Sequence, residues 1–328
     1  MLGQELVRVF SLDGQYEVAG WDREDIYPAP IVPASGESSS QDSIKKPIKY
    51  NRCRVDVTDF VAAEQKIREY EPEIILNAVA YNEVDKCEES GEEYKKALLL
   101  NGEVPKFLAR VAKEIGAVLV HYSTDYVFEG ALETGGKEAD GCASGKCCGG
   151  NCHGGKEVGY DETALPNPLS RYGTSKYLGE QGVRKEAPKY YLIRLSKLFG
   201  KEAKSAQGKK SFFDLMLEAG KTKEVVQVVD DEKSCFTYAP DLAVATKELI
   251  ESGDSFGTYH LVNTGAVTWY EAVLDLYAQA HIGVTIQPVG SDAFPRHAQR
   301  PHVSVLINTK RPPLRPYREA LSEYLKNI

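Results

Sequence analysis

Three features of the sequence predict an α/β protein built on a doubly wound parallel sheet. Short apolar runs alternate with amphipathic helical stretches between residues 3 and 200. Two of those runs, EIILNAVAY (73–81) and AVLVHYS (117–123), are apolar without alternation, as strands are when both faces are covered. After residue 200 helices follow one another with mixed spacers, which predicts a smaller second lobe.

The elements follow in order. Leu2, Leu6 and Val9/Phe10 recur at helical spacing, so residues 3–12 read as a helix. YEVAGW (16–21) reads as a short strand ending at Asp22. Residues 27–52 are rich in Pro, Ser and Lys without a period and read as an insertion or long loop. Thr58 or Asp59 caps a helix over 59–70, with Phe60, Ala63, Ile67 and Tyr70 on one face. The strand at 73–81 is followed by one long helix over 90–115, closed by Gly116. The strand at 117–123 leads to a second insertion, 131–158, rich in Gly, Lys and Cys. A helix over 170–185 and a strand over 190–200 complete this half. Further helices are expected at 211–220, at 241–252 after Pro240-Asp241, and at 268–281 after Thr268.

Composition narrows the function. The 328 residues carry 40 Lys+Arg against 48 Asp+Glu, a net charge of −8, with 42% apolar residues. These values describe an ordinary globular protein and argue against a general nucleic-acid or membrane-surface binder. No apolar run approaches the roughly 18 residues of a membrane helix, and the N-terminus lacks the features of a signal peptide. Seven Cys without a secretion signal suit a reducing, cytoplasmic setting.

The most informative pair is Tyr172 and Lys176. Four apart, they share one face of a helix. An ammonium beside a phenol favours phenolate and lowers the Tyr pKa, which suits proton transfer near neutrality. Taken alone, the pair also fits a solvated helix face. It follows a buried strand that ends in STDYVFEG (123–130), and ligands of open α/β sheets sit beyond strand carboxyl ends. Ser123 and Thr124 would present hydroxyls there and Asp125 a carboxylate, unless the three merely cap a turn.

HYSTDYVFEG, PLSRYGTSKYLGE and IRLSKLFG together resemble the extended short-chain dehydrogenase/reductases, and within them the dTDP-4-dehydrorhamnose reductases. NAVAYNEVDKCE (77–88), CFTYAPDLA (235–243), GTYHLVNTGAVTWYEAV (257–273) and RPHVSVLINTK (300–310) are similar to other segments of that group. The resemblance implies a Rossmann-type NAD(P)-binding domain over 1–196, carrying the insertions 27–52 and 131–158. A mainly substrate-binding lobe over 197–328 follows, with part of 222–262 returning to the first domain.

The resemblance also implies roles. Tyr172 is the catalytic acid, and Lys176 lowers its pKa and holds the nicotinamide ribose. Thr124, with Ser123 as its alternative, polarises the substrate carbonyl. Asp125 and Tyr126 flank the sugar, and Val84 is a substrate-side position. Asp22 and Arg23 contact the adenosine ribose; an Asp suits a free 2′-OH and an Arg a 2′-phosphate, so NADH and NADPH both stay open. Asp56 and Val57 lie on the adenine side, and Ala78, Ala80 and Tyr81 wall the cofactor. The implied reaction is NAD(P)H-dependent reduction of the C4 ketone of a nucleotide-linked 6-deoxyhexose, by a monomer or homodimer. It belongs to dTDP-rhamnose and cell-surface polysaccharide biosynthesis.

The chain departs from the family in three places. Of the G-x-x-G-x-x-G phosphate loop only Gly3 remains, and the strand before it is absent. A truncated or mis-started N-terminus is the preferred explanation. It predicts a gap in the sheet centre and weak cofactor binding. Lys197 stands where rhamnose-type reductases carry a Trp near the sugar; it either changes that wall into a cation or turns to solvent. The insertion holds Cys142, Cys147, Cys148, Cys152 and His153, whose residue types suit Zn²⁺ but whose spacing is not that of a standard finger. A flexible surface loop is the alternative. Two rival functions stand beside the reductase: a non-catalytic regulatory subunit resembling the methionine adenosyltransferase β subunit, and a reductase or epimerase for another nucleotide sugar.

Overall fold

The computed structural model describes residues 1–12, 14–23, 50–130, 137–139, 157–202 and 210–328. The first helix, α1 (Leu2–Ser11), buries the expected Leu2, Leu6, Val9 and Phe10. Strand β1 (Val18–Asp22) pairs in parallel with β2 (Tyr50–Arg54), register Val18–Tyr50. β2 corrects one expectation, because its start lies inside the segment 27–52 that reads as insertion. YNRCR has no continuous apolar run, so nothing local marks it as a strand. Helix α2 (Phe60–Tyr70) begins where Asp59 accepts from the Ala62 amide and ends at Glu71 in a left-handed conformation.

β3 (Ile74–Asn77) is shorter than the apolar run 73–81 suggests, and Ile74, Ile75 and Leu76 are only half-buried. It pairs on one side, with β4 (Val118–Thr124), and residues 78–83 leave the strand. The long helix expected at 90–115 is interrupted. A short α3 (Lys86–Glu89) and α4 (Gly91–Ala97), capped by Ser90, lead into a π-helical turn over Leu98–Glu103. α5 (Val104–Ile115) then runs to Gly116, whose φ of 78° closes it as expected. Two short strands, β5 (Lys137–Ala139) and β6 (Glu157–Gly159), form an antiparallel pair at the ends of the second insertion.

Helix α6 (Arg171–Glu186) opens on Ser170, whose hydroxyl accepts from the Gly173 amide at 3.1 Å. β7 (Tyr190–Leu195) stops earlier than the expected 190–200. Ser196 and Lys197 break it from a two-residue β8 (Leu198–Phe199), because Lys197 takes a left-handed φ of 31°. The helices α7 (Phe212–Thr222), α8 (Ala239–Glu251) and α9 (Trp269–Ala280) fall near their expected places. α10 (Tyr317–Lys326) is added at the end.

One parallel sheet has the order β9 (Gly257–His260), β7, β4, β3, and a second consists of β1 and β2. No described strand joins β1 to β3. The two sheets nevertheless share their flanking cores. On one side α1 and α8 pack with Val18, Ile74, Val120 and Ile193. On the other, α2 and α5 pack with Trp21, Cys53, Ile75 and Leu119. A separate aromatic-rich core, built on Phe199, Phe213, Phe236, Tyr317 and Tyr324, holds α7, α9 and α10 together.

Candidate active site

Strand alternation separates the two candidate hydroxyls at the end of β4. Adjacent residues point to opposite faces. Ser123 is buried on the side of Glu180, and its hydroxyl has no hydrogen-bond partner among the described residues. Thr124 lies on the other face, near the Tyr172 phenol. Thr124, Tyr172 and Lys176 are 8%, 8% and 3% exposed, so the three hydroxyl and amine groups sit in a largely desolvated site.

The turn after β4 builds the site. The Thr124 hydroxyl donates to Asp125 Oδ1 at 3.0 Å and accepts from the Tyr126 amide at 3.2 Å. Asp125 Oδ2 accepts from Ser196 at 2.7 Å and from Ser304 at 2.6 Å. Burial pushes the Asp125 carboxyl above its ordinary range, against these three hydroxyl donors and the Lys197 ammonium. Asp125 thus joins the carboxyl ends of β4 and β7 to the C-terminal segment. Tyr126 stands edge-on to Tyr172, with ring centroids 5.9 Å apart.

α6 delivers Tyr172 and Lys176 because it lies unusually close to its neighbours. A Cβ on Gly173 would strike the Tyr126 carbonyl, and one on Gly179 the Asn101 carbonyl. Tyr172 packs with Cys87, Ala97, Tyr81, Val84 and Tyr126, which brings four of the sequence-predicted residues into one cluster. Its phenol lies a long 3.5 Å from Asn82 Oδ1. Burial raises the Tyr172 pKa, and the nearby Asp125 charge raises it further. This reverses the lowered value that the Tyr-x-x-x-Lys spacing predicts. Lys176 instead donates to the Tyr122 carbonyl at 2.7 Å, and burial pushes its ammonium down to about 8.

Asn101 is a site-building residue that sequence reasoning misses. Buried in the π-helical turn, its Oδ1 accepts from the Tyr81 amide at 2.8 Å. Its Nδ2 donates to the Tyr81 carbonyl and to Ser175 Oγ, each at 3.0 Å. It therefore fixes the loop after β3 against α6; π turns recur at functional sites for this kind of re-aiming. A second missed tie is Arg300, which grips Asp85 with two bonds of 3.1 and 2.6 Å beside Val84. Burial opposes ionisation of Asp85, but Arg300 and the Ala298 amide hold its carboxyl below the ordinary range.

The other predicted positions form a separate group. Asp22 ends β1, and the exposed Arg23 follows it. Thr58 donates twice to Asp56 Oδ1, at 2.9 and 2.6 Å. These bonds hold the Asp56 carboxyl low, with help from Arg23. Arg23 and Asp56 are therefore neighbours, and Val57 packs beside them on the β1–β2 core. Gly3 lies in the first turn of α1, with open space around its Cα and no side-chain cap on the helix. Ala78 is exposed and Ala80 half-buried in the loop after β3.

Lys197 does not turn to solvent. Its Nζ is buried without a hydrogen-bond partner, 3.7 Å from the Trp269 ring centroid and 5.2 Å from that of Phe236. Cys142, Cys147, Cys148, Cys152 and His153 lie outside the described residues. Among the described residues no group of His, Cys, Asp and Glu could hold a metal ion, and no helix is long and apolar enough to cross a membrane.

Comparison with known proteins places this arrangement. The family model for the RmlD substrate binding domain matches residues 1–328. The spore coat polysaccharide biosynthesis protein SpsK of Bacillus subtilis is 30% identical over 283 residues, 85% of this chain and 88% of that protein. The dTDP-4-dehydrorhamnose reductase of Streptomyces griseus is 30% identical, covering 83% of this chain and 82% of its own. The crystal structure of the dTDP-4-dehydrorhamnose reductase of Bacillus anthracis, in complex with NADP, superposes with a TM-score of 0.72 at 29% identity, covering 86% of this chain and 91% of that one. With its Rossmann-type α/β fold, the chain belongs to the RmlD substrate binding domain family.

Proposed function

We propose that the chain reduces the C4 ketone of a nucleotide-linked 6-deoxyhexose, as a dTDP-4-dehydrorhamnose reductase does, with NADPH or NADH as hydride source. The observation that carries this reading is the buried Thr124–Tyr172 hydroxyl pair at the carboxyl end of β4. Two hydroxyl oxygens lie near one another there, and fixed donors help most where charge builds on an oxygen. The same pairing favours a catalytic chain over a reductase-like regulatory subunit.

The residues present fit a dinucleotide. Lys176 and Tyr172 share the face of α6 turned to the end of β4, and Asp22, Arg23 and Asp56 close the ends of β1 and β2. The uncapped first turn of α1, with Gly3, leaves backbone N–H groups suited to a pyrophosphate. When bound, a dihydronicotinamide supplies the hydride. Tyr172, held in its neutral form by burial, gives its proton to the alkoxide oxygen that develops at C4. Thr124, once its hydroxyl turns from Asp125 Oδ1, donates to the same oxygen. Lys176, one turn further along the helix, offers the phenolate a cation as the proton leaves. Tyr126 and Val84 line the sugar side.

A second nucleotide sugar remains the competing substrate, and the observation favouring it is the buried Lys197 ammonium. Purified full-length chain, supplied with NADPH or NADH and dTDP-4-dehydrorhamnose, tests the reading. Consumption of reduced nicotinamide with formation of dTDP-rhamnose is expected. Cofactor oxidation with a different nucleotide sugar only would transfer the reading to that sugar, and none with any would reject it.

A further inference from the structure

We propose that Lys197 is a specificity-determining residue that donates a hydrogen bond to a ring hydroxyl of the sugar, selecting a hexose that keeps this hydroxyl over its deoxy counterpart. The inference rests on the nucleotide-sugar reading above. Four observations carry it.

The Lys197 Nζ is buried and has no hydrogen-bond partner. A desolvated donor left unmade is costly, so native structures rarely keep one without a use. The residue is also held at a φ of 31°, a left-handed conformation that β-carbon-bearing residues seldom adopt and that accumulates at ligand sites. Its position is adjacent to the chemistry. The preceding Ser196 donates to Asp125 Oδ2, and Asp125 Oδ1 accepts from Thr124.

The surroundings define what the amine needs. Trp269 and Phe236 present ring faces, which attract a cation but leave its N–H directions unfilled. The nearby carboxylates are already engaged: Asp125 by three hydroxyls, Glu232 by Arg296 and by the Trp269 indole N–H at 3.0 Å. While Lys197 is protonated, it and Arg296 balance Asp125 and Glu232 in charge. A ligand that completes this site without upsetting the balance is uncharged, which points to a hydroxyl rather than a carboxylate or phosphate. Sites that hydrogen-bond a substrate hydroxyl discriminate strongly against analogues lacking it.

The test is a chemical double-mutant cycle. The titratable and charged groups facing the amine are Asp125, Glu232 and Cys235, with Arg296 beyond Glu232. Calorimetry would measure dTDP, dTDP-rhamnose and its 2-deoxy and 3-deoxy analogues on the full chain and on Lys197→Met. One deoxy analogue is expected to bind the wild-type chain about tenfold or more weakly than dTDP-rhamnose, and this penalty should vanish in Lys197→Met. No deoxy penalty in the wild type, or the same penalty in the variant, overturns the proposal. Should Lys197→Met fail to fold, Lys197→Leu takes its place in the cycle. If dTDP-rhamnose binds no better than dTDP, the sugar site itself fails and the functional reading falls with this one. Tight dTDP-rhamnose binding without a deoxy penalty removes Lys197 alone.

Discussion

Tyr172 is placed to keep its proton until a neighbouring oxygen becomes strongly basic, since burial and Asp125 both disfavour its phenolate. In the proposed reaction Thr124 shares the task of holding that oxygen. Thr124→Val should therefore lower kcat by about a hundredfold with little change in affinity for the nucleotide sugar. Equal loss in kcat and in binding would show that the hydroxyl acts before the chemistry. Lys176 adds a pH dependence. With its ammonium pushed down to about 8, the cation is present below that pH and lost above it. A fall in kcat/KM is expected as pH rises through about 8, and Lys176→Met should abolish that limb. These three residues were legible in sequence because their relations are local: a contiguous Ser-Thr-Asp at a strand end and a Tyr and Lys one helical turn apart. Their supports were not. Ser304 reaches Asp125 across 179 positions and Asn101 reaches Ser175 across 74, and no spacing rule connects such pairs.

At the level of elements, the site depends on how closely α6 approaches its neighbours. Gly173 and Gly179 let it sit against the Tyr126 and Asn101 backbones, and Asn101 bridges it to the loop after β3. Asn101→Ala should cost about 1–3 kcal/mol in chemical denaturation, because buried partners on Tyr81 and Ser175 lose their bonds. Unchanged stability would assign those bonds no role. The sequence pattern located nearly every helix, since each buries an apolar stripe; it could not show the π turn, which leaves hydrophobic spacing nearly intact while rotating one side chain inward. Strand limits were less legible. The run 73–81 is apolar throughout, yet only Ile74–Asn77 pair, and β2 carries no apolar signature at all.

Across the whole molecule, a buried charge network ties α6 to the main sheet. Glu180 accepts from Arg194 Nε at 2.9 Å and from Arg194 Nη2 at 2.7 Å, and from Arg184 at 2.9 Å. Burial opposes the Glu180 charge, but the arginines win and hold its carboxyl below the ordinary 4.5. A depressed carboxyl stabilises the fold above its unfolded value and loses that contribution as pH falls through its folded value. Arg194→Met should accordingly destabilise the protein by about 3–5 kcal/mol at neutral pH, by leaving a buried carboxylate unpaired. The loss should narrow in acid; a pH-independent loss would point to packing instead. The network lies on the Ser123 side of β4, opposite Thr124, so in the proposed reaction it positions the site without entering the chemistry. The sheet itself stands in two parts, β1–β2 and β9–β7–β4–β3, joined through common cores. The most direct test of the central claim is the rate of NAD(P)H oxidation by dTDP-4-dehydrorhamnose in the wild-type chain and in Tyr172→Phe, with cofactor affinity measured beside it. Turnover reduced by at least about a hundredfold, with cofactor affinity unchanged, is the predicted result. A Tyr172→Phe rate equal to the wild-type rate would contradict it.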